Sequence, residues 1–177
     1  MTVRPVIGMF DIPYERRERF TAGKLWQEWA EEYPRIFDKD DQRLAKSQAR
    51  HRCHFYEWQA AILLYEKMGY LSLIEKYFCK NHGRKQGILR QLVSQKFMPS
   101  ALLELLMNAG RSGYHAQPPD LLVLVYEETD LSDWFFCEVK GPRDKIRAEQ
   151  DRYFRELEVV SGKPIQLIQF RLVEEGP

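Results

Sequence analysis

Two apolar runs joined by a short polar link constrain this chain more than any other stretch. Leu121 to Tyr126 is aliphatic and β-branched, and Trp134 to Lys140 is aromatic and then alternates. Between them, Glu127 to Asp133 is acidic and carries the turn formers Thr129, Asp130, Ser132 and Asp133. Runs of this composition read as strands, and such a link folds them back on each other as a hairpin. A hairpin folded about Thr129 sets Asp120 opposite Glu138. Directly opposed side chains have Cβ atoms about 4.5–5.5 Å apart, within reach of one shared cation. Alternation puts Glu138 and Lys140 on one face, with Val139 pointing away. Lys140 follows about 6.6 Å further along the strand. Gly141-Pro142 then ends the strand and leaves the group at a sheet edge that substrate can reach. The arrangement depends on register, because a slip of one residue moves every side chain to the other face.

Two carboxylates and a lysine so placed have a definite chemistry. Oxygen ligands suit a hard cation such as Mg²⁺ or Mn²⁺, with no need for cysteine or histidine. Such a cation polarises a phosphoryl oxygen and lowers the pKa of a bound water, and a lysine beside it holds that water and adds positive charge. Pro-Asp is also a common turn dipeptide, and Glu-x-Lys an ordinary surface pair. What sets these apart is that both acids terminate strongly apolar strands.

The element after the hairpin adds a further signal. Asp144 reads as a helix N-cap, and Ile146, Gln150, Tyr153, Phe154, Leu157 and Val160 make one inward stripe. Gly162 and Pro164 stop the helix, and Ile165 to Val173 reads as a third strand. Gln150 falls within an apolar face. A buried amide needs partners, and the nearest are the acidic site and its waters.

Pro119-Asp120, Glu138-Val139-Lys140-Gly141-Pro142, Asp144 and Gln150 together resemble the signature of the virus-type replication-repair nuclease (VRR-NUC) domain. This is a branch of the PD-(D/E)xK superfamily, found in the Fanconi-associated nuclease and in stand-alone phage and bacterial proteins. The resemblance covers about residues 110–173. It implies an α/β, restriction-endonuclease-like core, a small mixed sheet flanked by helices. It also implies Mg²⁺ or Mn²⁺ dependence and cleavage of branched or flapped DNA, in repair or recombination. By the same resemblance Asp120 and Glu138 are metal ligands with the Val139 carbonyl as a third, Lys140 is the catalytic lysine, and Gln150 supports the site. The superfamily places a further glutamate on a helix ahead of the strands. Glu57 is the preferred candidate, with Glu66 and Glu75 as competitors; a first-turn glutamate is also an ordinary partner of the helix dipole. One departure is the entry Gln117-Pro118 before Pro119-Asp120, where the family has a glycine. The flexible glycines, Gly110 and Gly113, lie earlier, so the flanking Arg111 and His115 are expected to meet substrate differently.

At 177 residues the expectation is one compact chain in two parts. An N-terminal helical region spans 1–56, and a nuclease core spans 57–177 with a helical insertion at about 80–110. Within the first half, Tyr14 to Tyr33 reads as helical up to Pro34, Gln42 to Met68 as a long helical stretch broken near Cys53, and Leu71 to Cys79 as a continuation. Gly87 to Phe97 and Ser100 to Asn108 read as short helices. The aromatics recur at helical spacing beside leucines, which suits a core better than a base-stacking platform.

The formal net charge of +1 does not by itself suggest nucleic acid, so the distribution of charge matters more. Basic residues gather at Arg43 to Arg52, from Lys76 to Arg111 (Lys85 among them), and at Arg143, Lys145 and Arg147 beside the proposed site. DNA contacts are assigned to Arg111, Arg143, Lys145 and Arg147. His51, Cys53, His54, Cys79 and His82 offer a weak zinc alternative, since the first pair is too closely spaced for a structural site. Without a signal peptide or transmembrane run, and with few cysteines, the chain reads as cytoplasmic, of bacterial or phage type. The leading reading is a DNA endonuclease, with a non-catalytic DNA-binding or assembly subunit as the alternative. Junction cleavage by a homodimer and flap cleavage by a monomer both remain open.

Overall fold

A computed structural model describes residues 4–39, 41–43, 54–74, 77–78, 82–109 and 117–174. Its centre is a five-stranded mixed sheet in the order β1-β5-β4-β3-β2. The strands are β1 (Val6–Pro13), β2 (Leu71–Ile74), β3 (Leu121–Glu127), β4 (Asp130–Lys140) and β5 (Gln166–Val173). β1, β5 and β4 run parallel, whereas β3 is antiparallel to both β4 and β2. The helices are α1 (Tyr14–Thr21), α2 (Leu25–Glu32), α3 (Phe55–Met68), α4 (Gly83–Ser94), α5 (Ser100–Asn108) and α6 (Ala148–Ser161).

The β3–β4 hairpin carries the register that the site requires. Leu121 pairs with Cys137, Leu122 with Phe136 and Val125 with Asp133, so continuing one step past Leu121 brings Asp120 to Glu138. The turn itself is tighter than a fold about Thr129 alone. Glu127 pairs with Asp130 across Glu128-Thr129, with Glu128 at φ 56°, and the register shifts between Val125 and Tyr126. Ser132 is the extra residue of that bulge, and its hydroxyl donates to the Val125 carbonyl at 3.3 Å. A two-residue turn favours positive φ, and the bulge restores the alternation that keeps Glu138 inward.

Alternation along β3 and β4 feeds two separate cores. Leu121, Val123, Phe135, Cys137 and Val139 face α1, α2, α3 and the turn after α2, where Phe20, Trp29, Phe37, Phe55 and Trp58 pack tilted and stacked. Leu122, Leu124, Trp134 and Phe136 face α4, α5 and α6 through Leu89, Leu102, Leu106, Phe154 and Leu157. The aromatics are therefore core residues, and burial of both faces explains why Leu121–Leu124 and Trp134–Cys137 are wholly apolar.

Several local expectations are corrected. Leu71 to Ile74 is a strand, not a helical continuation. Four short apolar residues are ambiguous between the two, and pairing with Leu121–Leu124 decides for a strand. The segment from Tyr14 to Tyr33 is two helices, broken at Ala22-Gly23-Lys24 with Gly23 at φ 76°. The N-terminal part is not wholly helical, since β1 forms one edge of the sheet by pairing with β5. The helix after the hairpin starts at Ala148 with Arg147 as its cap residue, so Asp144 does not cap it. Gly162, at φ 69°, does end it. The break expected near Cys53 lies outside the described residues.

Candidate functional site

The carboxyl end of β4 meets the entry to β3 at the mouth of the sheet, where open α/β sheets place their ligands. Asp120 and Glu138 lie side by side there on the α6 face. Asp120 Oδ2 accepts the Val139 N–H at 2.8 Å, which fixes its carboxylate against the neighbouring strand. Tyr77, fully buried, donates its hydroxyl to the Pro119 carbonyl at 2.9 Å and holds the residue just before Asp120. Sequence reasoning missed Tyr77, because a lone aromatic 42 residues away in the chain carries no local signal.

Glu138 is 1% exposed and its two oxygens have different surroundings. Oε1 accepts Lys140 Nζ at 2.5 Å and Gln150 Nε2 at 2.7 Å. The Gln150 carbonyl oxygen in turn faces Lys140 Nζ at 3.5 Å. Donor meets acceptor at both ends of that amide, so its orientation follows from its partners. Oε2 is buried and has no hydrogen-bond partner among the described residues. Such an oxygen is costly unless a proton shared with Asp120 or a cation satisfies it.

Electrostatics point the same way. Burial pushes the Asp120 carboxyl well above the ordinary range, and the charges of Glu138 and Glu57 push it further. The Val139 N–H and Lys140 oppose them. Burial also raises Glu138, against Lys140, Gln150 and the contact with Asp120. Two adjacent carboxylates shielded from water bond each other only through a proton or a cation. The donor set, hard oxygens with one of them orphaned, fits Mg²⁺ or Mn²⁺.

Glu57 sits in the first turn of α3, about a fifth exposed, with His54 Nδ1 at 3.4 Å from its carboxylate. It is near enough to act on Asp120, yet no three acidic, histidine or cysteine side chains among the described residues converge into a ready metal cage. Glu66 is engaged by the Tyr33 hydroxyl, about 13 Å further along the helix axis. Of these two, Glu57 is the one at the site. Glu75 lies outside the described residues.

The turn after β4 is shaped around Gly141. A Cβ there would come within 2.6 Å of the Tyr56 ring. Asp144 Oδ2 accepts the Gly141 N–H at 3.1 Å, and Arg143 takes φ 69° to close the turn. Asp144 thus organises this turn rather than the helix. Arg143, Lys145 and Arg147 are exposed on it. Arg111 and His115 lie outside the described residues, as do His51, Cys53 and Cys79 of the zinc alternative. Lys85, of the basic cluster between Lys76 and Arg111, is buried and meets no phosphate. It is 2% exposed, bound to Asp41 and, at 2.5 Å, to the Ile74 carbonyl. Arg84 beside it pairs with Asp38 at 3.0 Å.

Comparison with protein-family models, with curated proteins and with solved structures finds no match to this chain. No described helix is long and apolar enough to cross a membrane.

Proposed function

We propose that this protein is a metal-dependent, structure-specific DNA endonuclease of the VRR-NUC type. The observation that carries the reading is the Asp120–Glu138 pair, with Glu138 buried and Asp120 half-buried beside it, and with Lys140 held against the Glu138 carboxylate. A mixed sheet flanked by helices, with the site at its mouth, supports a restriction-endonuclease-like core.

Asp120, Glu138 and the Val139 carbonyl would hold Mg²⁺ or Mn²⁺, and Glu57 approaches from α3. The ion supplies Lewis-acid polarisation of the scissile phosphate and a more acidic water. The protein's own part is positioning and charge. Glu138 and Gln150 fix the Lys140 ammonium so that it faces the phosphate and the attacking water without having to reorganise. Gln150 keeps the Glu138 carboxylate oriented, and the Val139 N–H does the same for Asp120. Arg143, Lys145 and Arg147 lie where the flanking phosphates of a DNA strand would pass.

The test is a cleavage panel of four-way junction, 5′ flap, splayed arm and plain duplex, in Mg²⁺ and in Mn²⁺. Lys140→Ala and Asp120→Ala should each lower cleavage of the branched substrates by at least about a hundredfold, with unchanged circular dichroism. Unaltered cutting by either purified variant would sink the assignment.

A further inference from the structure

A cleft of about 820 Å³ opens beside the site and shares Lys140 with it. Its floor is the Lys140–Asp144 turn, and its walls are the carboxyl end of β5 and the junction of β1 with α1. β1 passes into α1 with no intervening loop, which places Tyr14 at the rim. The cleft therefore extends over the ends of β4, β5 and β1, about 10 Å across at the usual strand spacing.

Its lining is chemically mixed in a particular way. Met9 and Tyr14 are 52% and 51% exposed, among the few large apolar side chains left open to solvent. Around them stand Lys140, Arg17, Arg143 and Arg171, with Asp144 and Glu174 as the acids of the lining; Arg171 pairs with Asp11 outside the lining, Lys140 with Glu138, and Arg17 lies over the Tyr56 ring. Asp144 is occupied by the Gly141 N–H. An exposed aromatic ringed by cations suits neither a purely apolar ligand nor a simple anion. It suits a strand of unpaired nucleotides, whose bases stack on an aromatic face while phosphates meet the cations. A paired duplex hides its base faces and has no use for Tyr14. The volume falls within the roughly 300–1,000 Å³ of small-ligand sites, which accommodates a nucleotide or two.

We propose that this cleft is a subsite for the unpaired strand that adjoins the scissile phosphate, with Tyr14 as its stacking platform. The inference rests on the nuclease reading for the kind of ligand it names. It goes further in assigning the N-terminal β1–α1 unit a role in selecting substrates with single-stranded character.

The test is direct binding by the full chain in EDTA, where no cleavage occurs, read by fluorescence anisotropy. The probes are a short labelled oligothymidylate and a fully paired duplex of equal length. Tyr14→Ala should weaken single-strand binding about tenfold and leave duplex binding unchanged, while Tyr14→Trp retains both. Equal single-strand affinity in Tyr14→Ala and wild type overturns the proposal, as does a parallel loss on duplex or no binding of the single strand at all. The two readings fail differently. Tyr14-dependent binding without cleavage in Mn²⁺ sinks the nuclease reading alone. Metal-dependent cutting that Tyr14→Ala leaves intact on flapped and paired DNA sinks the subsite alone.

Discussion

At the scale of single residues, Asp120 is held in place at a cost to stability. Its carboxyl is raised above its unfolded value by burial and by Glu138 and Glu57. A raised carboxyl is fully compatible with folding below the unfolded pKa of about 4 and becomes a burden as pH rises through the folded value. Asp120→Asn keeps an acceptor for the Val139 N–H and removes that burden. The expected result, in EDTA, is a gain of about 1 kcal/mol at pH 8 that vanishes near pH 4. Thermal unfolding across that range measures it. Added Mn²⁺ should stabilise the wild type and not the variant. A variant no more stable than wild type at pH 8 would contradict the electrostatic account. Glu138, Lys140 and Asp120 were legible from sequence because strand alternation and a short turn act over a few residues. Tyr77 was not, since its bond to Pro119 is made only by the fold.

Among the elements, α6 buries a polar residue that its apolar periodicity does not mark. Its stripe of Tyr153, Phe154 and Leu157 is buried as periodicity predicts, but so is Asp151, at 4% exposure. Arg4, just ahead of β1, donates to Asp151 at 2.5 Å and to Glu158 at 2.9 Å, and Arg155 joins Asp151 at 2.6 Å. Removing Arg4 takes its donors from Asp151 and Glu158 and leaves Asp151 with Arg155 alone. Arg4→Met should therefore cost about 2 kcal/mol in urea unfolding at pH 7. Arg4 first, then Arg155, lower the Asp151 carboxyl. That stabilisation is present above the unfolded carboxylate range and is lost as pH falls through the lowered folded value. The gap between wild type and Arg4→Met should accordingly narrow in acid. A gap that is constant with pH would assign the loss to packing instead.

Across the whole molecule, one sheet separates two cores, and β3 and β4 contribute alternate side chains to each. Neither layer can lose its packing without exposing the back of the other, so unfolding is expected to be cooperative. Trp134 lies in one layer and Trp26, Trp29 and Trp58 in the other. In Trp134→Phe the fluorescence reports only the N-terminal layer. Its urea midpoint should coincide with that of far-UV circular dichroism, and an earlier fluorescence transition would show the layer opening alone.

The hairpin, the helix after it and the last strand were readable in the chain because each is specified by neighbours within a turn or a strand. Hairpin register brings Asp120, Glu138 and Lys140 to one place, and helix period turns Gln150 inward. Only the tertiary structure decided that Val6–Pro13 closes the sheet against β5 and that Lys85 is buried beside Asp41. The same holds for Arg4 on α6, Glu57 near Asp120, and the cleft beside Lys140. Those features join segments far apart in sequence, where no periodicity links the partners and the free energy of burial alone selects them.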